Sequence, residues 1–270
     1  MQSGFGAALR AHWPEYLIEG AGIGAFMLSA LGFCVLLEHP ASPLRAALPD
    51  PALRRVLMGL AMGATAISLV YSRFGQRSGA HFNPAFTLSF FRLGKLAPAD
   101  ALFYAGFQLA GAVLGTALGA LLLGMLPAHP AVNYAITVPG PAGTALAFAG
   151  ELAISFLQMT AVLAISNHPR LARYTGIAAG CLVATWISVE APISGMSMNP
   201  ARTLGSALVA GDFRALWIYF SAPPLGMLAA AQVYTALRGA RAVHCAKLHH
   251  ANDQRCIFRC RYHELVSGAR

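Results

Sequence analysis

Two identical asparagine-proline-alanine triplets are the residues whose types and spacing most clearly suggest a chemical function. Asn83-Pro84-Ala85 recurs as Asn199-Pro200-Ala201, 116 residues further along the chain. Asparagine is a good N-cap residue and proline suits the first helical position, so each triplet predicts the start of a helix. The apolar runs that follow, 86–91 and 203–209, are about 7–9 residues long and reach only about halfway across a bilayer. Each asparagine amide would therefore be held at the start of a half-length helix, where it can donate hydrogen bonds to a small molecule.

Long apolar segments must position these two triplets. Hydrophobic residues make up 57% of the chain and charged residues only 11%, too few charges to cover a soluble surface. Six segments are long enough to cross a bilayer as helices: 13–37, 52–71, 101–126, 143–166, 171–189 and 215–237. The composition therefore predicts an all-α membrane protein and argues against a soluble helical bundle, whose helices need polar outer faces.

The two halves of the chain predict an inverted repeat. Residues about 13–126 and about 143–238 each contain three spans and one triplet. Because three is an odd number, the two halves must cross the membrane in opposite directions. The two half-helices then enter from opposite faces and meet near the midplane, where irregular backbone is tolerated only if it is buried or lines a wet cavity. We expect six transmembrane helices and two membrane half-helices around a pore.

The basic residues predict how the chain is oriented. The channel domain, 13–238, lies between a short N-terminal segment, 1–12, and a basic tail, 239–270; 14 of the 19 Lys and Arg residues fall on the side of the two termini. Positively charged residues stay in the cytoplasm, so we expect an integral protein of the cell (plasma or inner) membrane with both termini cytoplasmic. No concentrated basic patch with base-reading partners is present, which argues against nucleic-acid binding.

The residues around both triplets, 78–85 and 194–203, resemble the two signatures of the major intrinsic protein family, the aquaporins and aquaglyceroporins. Glu19 and Glu151, early in the first and fourth spans, are similar to the family pattern as well. The resemblance implies a passive channel for water and other small uncharged solutes that excludes protons and ions. It also implies a homotetramer with one pore in each subunit. Since the sequence shows no nucleophile–base pair or phosphate loop, we expect no enzyme activity, no catalytic residue and no cofactor.

The same resemblance assigns a selectivity filter. It places Arg202 at the outer constriction, and an ungapped alignment from each asparagine adds Gly63, Ile187 and Met196. Such a ring lacks the aromatic and histidine residues of water-selective members, so it is less polar and more open. It favours bulkier uncharged solutes such as glycerol, hydrogen peroxide or metalloid acids, whereas Thr203, an Asp in glycerol channels, favours water. We expect water to be the main permeant, with this broader set of uncharged solutes as the alternative.

Three further polar residues are predicted to support the half-helix loops. Glu19 and Glu151 lie in apolar spans, and a buried carboxylate needs hydrogen-bond donors. The loops before the two triplets offer backbone amides, so both carboxylates are predicted to brace them. His81, two residues before Asn83, is predicted to brace its loop as well.

The tail concentrates thiol and imidazole groups: Cys245, His249, His250, Cys256, Cys260 and His263 lie within 19 residues. This density is compatible with zinc binding, with Cys245, His249, Cys256 and Cys260 as candidate ligands. Yet the spacing contains no Cys-x-x-Cys pair, and basic residues surround it. The sequence favours the alternative, a solvated tail without metal that lies against acidic lipid headgroups.

Two competing functions remain compatible with the pattern. An inverted-repeat secondary transporter would couple to ions through ionisable groups near the midplane, and the spans offer only Glu19, Glu151 and Arg202. An adhesive or scaffolding membrane protein would keep the same helices around an occluded pore. Measured osmotic permeability separates both from a channel.

Overall fold

The structure, a computed structural model, describes residues 4–267. Within that range the chain forms twelve α-helices and no β-strand. The helices are α1 (Phe5–Glu38), α2 (Pro43–Ala47), α3 (Pro51–Tyr71), α4 (Arg73–Ser78), α5 (Pro84–Arg92), α6 (Pro98–Leu123), α7 (Thr144–Ser166), α8 (Thr175–Val189), α9 (Ala191–Ser194), α10 (Pro200–Ala210), α11 (Leu216–Arg238) and α12 (Tyr262–Ser267).

Five helices in the described residues are long and apolar enough to cross a membrane: α1, α3, α6, α7 and α11. The sixth predicted span, 171–189, is divided into a 3₁₀ turn, Ala172–Tyr174, and the 15-residue helix α8. At 1.5 Å per residue α8 extends about 22 Å, so it is the shortest of the six. Large apolar side chains such as Leu121, which is 78% exposed, cover the outside of the bundle. A surface of this kind belongs in lipid, and the chain is an integral membrane protein.

The first helix begins earlier than the hydropathy of the sequence predicted. It starts at Phe5, so residues 5–12 of the predicted N-terminal segment are helical. Tertiary contacts explain the extension, because Ala8 is buried and the Phe5 ring lies 6.3 Å from that of Phe103 on α6.

The two predicted half-helices are present as α5 and α10. Each begins at the proline of its triplet, and the preceding asparagine acts as N-cap. The Asn83 side-chain oxygen accepts a hydrogen bond from the Ala85 N–H (2.8 Å), and the Asn199 oxygen accepts one from the Ala201 N–H (3.0 Å). These caps do not use the backbone N–H groups of the loops before the two triplets, so other groups can accept hydrogen bonds from them.

Close packing within the first repeat depends on small residues. On α6, a Cβ atom added at Gly111 or Gly115 would collide with the backbone of Gly20 or Gly24 on α1. Glycine at these positions lets the two helix backbones touch, which is how membrane helices associate without a hydrophobic driving force.

The tail is folded, which corrects the expectation of a solvated segment. Residues 239–267 pack against the face of the bundle where α1 begins and α11 ends, which we call the terminal face. Val243 and Ala246 are buried there. The Arg259 N–H donates to the carbonyl of Lys95 (2.9 Å), and the His244 N–H donates to the side-chain oxygen of Asn167 (2.7 Å). Loop groups of the bundle thus accept hydrogen bonds from backbone N–H groups of the tail. These bonds hold the tail against the bundle, so its backbone is not left to solvent.

Candidate pore

The two asparagine amides meet in the middle of the bundle. The Asn83 side-chain nitrogen donates to the carbonyl of Met198 (2.8 Å), and the Asn199 nitrogen donates to the carbonyl of Phe82 (2.8 Å). Each asparagine is therefore fixed by the loop of the other repeat. An amide nitrogen carries two N–H groups, so one N–H of each side chain remains available to a permeant.

A cavity of about 440 Å³ passes between these two amides. At the terminal face it is lined by Val70 and by Leu248 of the tail. At the opposite face it is lined by Leu37 and Pro51, where α1 ends and α3 begins. The lining thus extends from one face of the bundle to the other, with Asn83 and Asn199 between them.

The loops before the two triplets have the same unusual backbone. Ala80 and Phe82 have positive φ values of 58° and 48°, and their repeat partners Met196 and Met198 have 49° and 52°. Residues other than glycine adopt this region at a cost and only where their surroundings require it. Within the described residues, no hydrogen bond reaches the carbonyls of Ala80, His81, Met196 and Ser197, all of which line the cavity.

Glu19 holds the first of these loops. Its carboxylate accepts hydrogen bonds from the backbone N–H groups of His81 (3.0 Å) and Phe82 (2.6 Å). It also accepts from the Ser78 hydroxyl and from the Gln108 amide, both at 2.7 Å. Four donors surround one fully buried carboxyl group, and such an arrangement stabilises a charge that burial alone would make costly.

Glu151 holds the second loop in the same way. Its carboxylate accepts from the N–H groups of Ser197 (2.6 Å) and Met198 (2.7 Å) and from the Ser194 hydroxyl (2.8 Å). Because the Met198 carbonyl in turn accepts from Asn83, Glu151 is linked to the pore centre through a single residue.

His81 connects its loop to the tail. Its Nε2 atom lies 2.9 Å from the carbonyl of Ala246 and its Nδ1 atom 3.1 Å from the Thr87 hydroxyl. The ring also stacks against Phe258, with 5.5 Å between centroids. The structure thus places His81 between half-helix and tail, a contact that sequence spacing could not show.

Arg202 lies in the cavity wall on the opposite side of the triplets from the tail. Its Nη1 atom donates to the carbonyl of Ala135 (2.8 Å), in the loop that joins the two repeats. Ile187 and Met196 line the same cavity. Three of the four predicted filter residues are therefore in the wall of one cavity, with the guanidinium held in place by a backbone carbonyl.

Gly63, the fourth predicted filter residue, does not line the cavity, and this corrects the prediction. It faces α8, where an added Cβ would lie 2.6 Å from the carbonyl oxygen of Gly180 and 2.9 Å from the Cβ of Ala184. The residues of α3 that line the cavity include Met58 and Met62. Gly63 instead allows α3 and α8 to pack closely, one position along the helix from the cavity-lining Met62.

Residues 13–234, which contain both repeats, both triplets and Arg202, match the family described as Major intrinsic protein. The chain belongs to the major intrinsic protein family. This membership groups it with channels and not with enzymes.

The chain is similar to Aquaporin NIP3-1 of Oryza sativa subsp. japonica, with 38% identity over 180 residues, and to Aquaporin NIP6-1 of Arabidopsis thaliana, with 37% identity over 185 residues. These alignments cover 66% and 67% of this chain but only 56% and 58% of the two relatives. The X-ray structure of the aquaglyceroporin from Plasmodium falciparum superimposes with a TM-score of 0.68 at 20% identity, covering 86% of this chain and 98% of that one. This likeness confirms the fold of the family.

Two buried tyrosines support the loops of the pore, although this role was not predicted for them from the sequence. The hydroxyl of Tyr104 donates to the carbonyl of Ser78 (2.6 Å), and the hydroxyl of Tyr219 donates to the carbonyl of Ser194. Both tyrosines are fully buried. The available signal was the repeat itself, since the two serines hold matching positions before the two triplets.

Proposed function

We propose that this protein is a passive channel for water and other small uncharged molecules. The observation that carries the proposal is the convergence of Asn83 and Asn199 on one cavity whose walls extend from face to face of the bundle. Each amide keeps one unused N–H at the point where the two half-helices begin.

The proposed path supplies hydrogen-bond partners of both kinds. The unused N–H groups of Asn83 and Asn199 donate to the oxygen of a passing molecule, and the free carbonyls of the two loops accept its hydrogens. Most other lining side chains are apolar, so the molecule binds at few points and leaves easily. A water held by two donors at the centre cannot also accept a proton from its neighbour, which interrupts proton transfer.

Positive charge provides the proposed barrier to cations. The N-termini of α5 and α10 point at the centre and carry the partial positive charge of a helix start. The guanidinium of Arg202 adds a full charge on one side of that centre. A charge inside a membrane is costly and is usually retained for a function, and here both sources repel cations while leaving neutral molecules unaffected.

A broader neutral-solute channel is the second candidate, and the composition of the constriction favours it. Met62, Ile187 and Met196 line the cavity together with Arg202. Methionine side chains are flexible and apolar, so they yield to solutes such as glycerol, hydrogen peroxide or undissociated metalloid acids.

The proposal includes a setting in the membrane. We place the protein in the plasma or inner membrane of the cell. The basic residues on the terminal face support an orientation with both termini in the cytoplasm. Apolar outer faces of the helices support contacts with lipid and with other copies of the chain, and we propose a homotetramer with one pore per subunit.

Stopped-flow light scattering on proteoliposomes tests the proposed function. Under an impermeant osmolyte we expect shrinkage faster than in empty liposomes, and the variant Asn83→Leu should lose this acceleration. Gln232→Leu, which changes an exposed amide on α11, is the matched control and should shrink like the wild type.

Replacing the osmolyte by a glycerol gradient distinguishes the two candidates. Fast re-swelling would identify a broad solute channel, and its absence would restrict the path to water. Shrinkage no faster than in empty liposomes would overturn the proposal, and a saturable flux that follows an ion gradient would identify a transporter instead.

A further inference from the structure

Four side chains of the tail come together although they are spread over 16 residues of sequence. They are Cys245, His250, Cys256 and Cys260, whose ligand atoms all lie within 4.8 Å of one another. The sulfurs of Cys245 and Cys256 are 3.6 Å apart, and the Cys260 sulfur lies 3.0 Å from Nε2 of His250. The folded tail thus creates a Cys₃His cluster that a search for Cys-x-x-Cys pairs does not find.

This arrangement has nearly the dimensions of a tetrahedral zinc site. Zinc bonds of about 2.3 Å to sulfur and about 2.0 Å to nitrogen give tetrahedron edges of about 3.5–3.8 Å. The observed distances of 3.0 to 4.8 Å lie on both sides of these values, so small side-chain rotations suffice. We propose that Cys245, His250, Cys256 and Cys260 bind one Zn²⁺ ion, which fastens the tail over the terminal-face mouth of the pore.

The four side chains form a ligand set that structural zinc sites use, three cysteines and one histidine. Thiolate is the form of cysteine that binds zinc, so binding displaces the thiol protons to solvent.

Nearby cations offset the charge that such a site carries. Three thiolates, one neutral imidazole and Zn²⁺ sum to one negative charge. Two buried lysines lie beside the cluster: Lys247 is two residues from Cys245, and the carbonyl of Lys95 accepts from the N–H of Arg259, next to Cys260. The basic residues that seemed, from sequence, to argue against a metal therefore complement the loaded site.

The structure selects His250 over His249 as the nitrogen ligand. The ring of His249 packs on Tyr71, 4.6 Å between centroids, and is outside the cluster. The ring of His250 stacks on Tyr262 at 4.3 Å, which orients Nε2 towards the thiols. This corrects the sequence-based ligand set, which included His249 as its nitrogen donor.

The cluster is coupled to the pore through the segment that follows Cys245. The carbonyl of Ala246 bonds to the ring of His81, and the N–H of Leu248 donates to the carbonyl of Gly79 (3.1 Å). The Leu248 side chain lines the cavity. This segment lies between Cys245 and His250 in the sequence. An ion bound to both residues therefore fixes Leu248 at the mouth of the pore.

Metal content of the full-length protein tests the proposal directly. After expression with zinc and purification under reducing conditions, we expect about one zinc per chain by elemental analysis. The double variant Cys256→Ser/Cys260→Ser should fall to background, and His250→Ala should lose most of the metal. His249→Ala and Cys34→Ser are matched controls and should keep the wild-type content.

A second measurement uses wild-type protein, so its result does not depend on whether a variant folds. Exchange of zinc for Co²⁺ should produce the intense thiolate-to-cobalt absorption of a tetrahedral site, at one ion per chain. Fully reduced wild-type protein that binds neither metal would overturn the proposal, as would unchanged zinc in the double variant. A Cys245–Cys256 disulfide in freshly prepared, metal-free protein would assign the cluster to redox chemistry instead.

These outcomes are separate from those of the flux assay. Metal content does not depend on whether water passes, and flux without zinc would refute the site while leaving the channel intact. Removing zinc from active proteoliposomes with a chelator should change the permeability of the wild type but not of the double variant. Equal responses would refute the link between metal and pore.

Discussion

Replacing Glu151 by glutamine tests whether a carboxylate holds the second loop. Glu151 accepts three hydrogen bonds, from Ser194, Ser197 and Met198. A glutamine side chain has nearly the same shape but only one acceptor oxygen. If its oxygen keeps Ser197, its NH₂ group must face the N–H of Met198, so at least one bond is replaced by two donors in contact.

The expected cost follows from these contacts. A hydrogen bond to a charged group contributes about 1.5–3 kcal/mol, and a buried donor left unpaired costs about 1–3 kcal/mol. The variant should therefore be less stable by about 3–5 kcal/mol. Because the Met198 carbonyl also holds the amide of Asn83, the loss should spread to the centre of the pore.

The assay combines thermal unfolding in detergent with osmotic permeability in proteoliposomes. We expect Glu151→Gln to lower both the unfolding midpoint and the permeability, and Glu19→Gln to do the same for the first loop. Glu264→Gln is the control, because the Glu264 carboxylate is exposed on the tail and lies 3.4 Å from the Arg261 guanidinium, away from both loops. Unchanged stability and flux in Glu151→Gln would refute the reasoning, since they would mean that the folded protein holds a protonated carboxyl group there.

Four further predictions concern the cavity and the helix packing around it. Gly63→Trp should reduce folded protein and not merely narrow the pore, because its Cβ would press on the Gly180 carbonyl; yield and monodispersity by size-exclusion chromatography measure this. Met62→Trp should instead fold and reduce glycerol flux more than water flux in stopped-flow assays, and equal losses would place the constriction elsewhere. Arg202→Ala should raise proton leakage, followed with a pH-sensitive dye inside liposomes, while water flux persists; an unchanged leak would remove Arg202 from the barrier. Leu248→Ala should increase water permeability, and no increase would show that the tail does not restrict the mouth.

The local features of the fold were predictable because they depend on short stretches of sequence. The half-helices begin at Pro84 and Pro200, since asparagine followed by proline is a helix start whatever surrounds it. The inverted repeat was predicted because each half of the chain contains one triplet and three spans, an odd number. The carboxylates of Glu19 and Glu151 could be assigned to the loops because a buried charge must find donors, and the loops were the available source.

Which residues of a helix face the cavity was not predictable from an ungapped alignment. Gly63 and Met62 are adjacent in sequence, but consecutive residues on a helix point about 100° apart, so an error of one position exchanges a pore residue for a packing residue. The early start of α1 at Phe5 likewise depends on contacts with α6 that no local pattern reveals.

The tail separates most clearly what sequence and tertiary structure each determine. Composition by itself showed that thiols and imidazoles are concentrated in residues 245–263. Only the folded chain decided that His250 and not His249 joins the three cysteines, because the two rings pack against different tyrosines, Tyr262 and Tyr71. Sequence thus determined the membrane helices, the repeat and the paired asparagines, which arise from apolar runs and local helix starts. Tertiary structure decided which side chains face the cavity and which face each other in the tail, because those contacts join residues far apart in the chain.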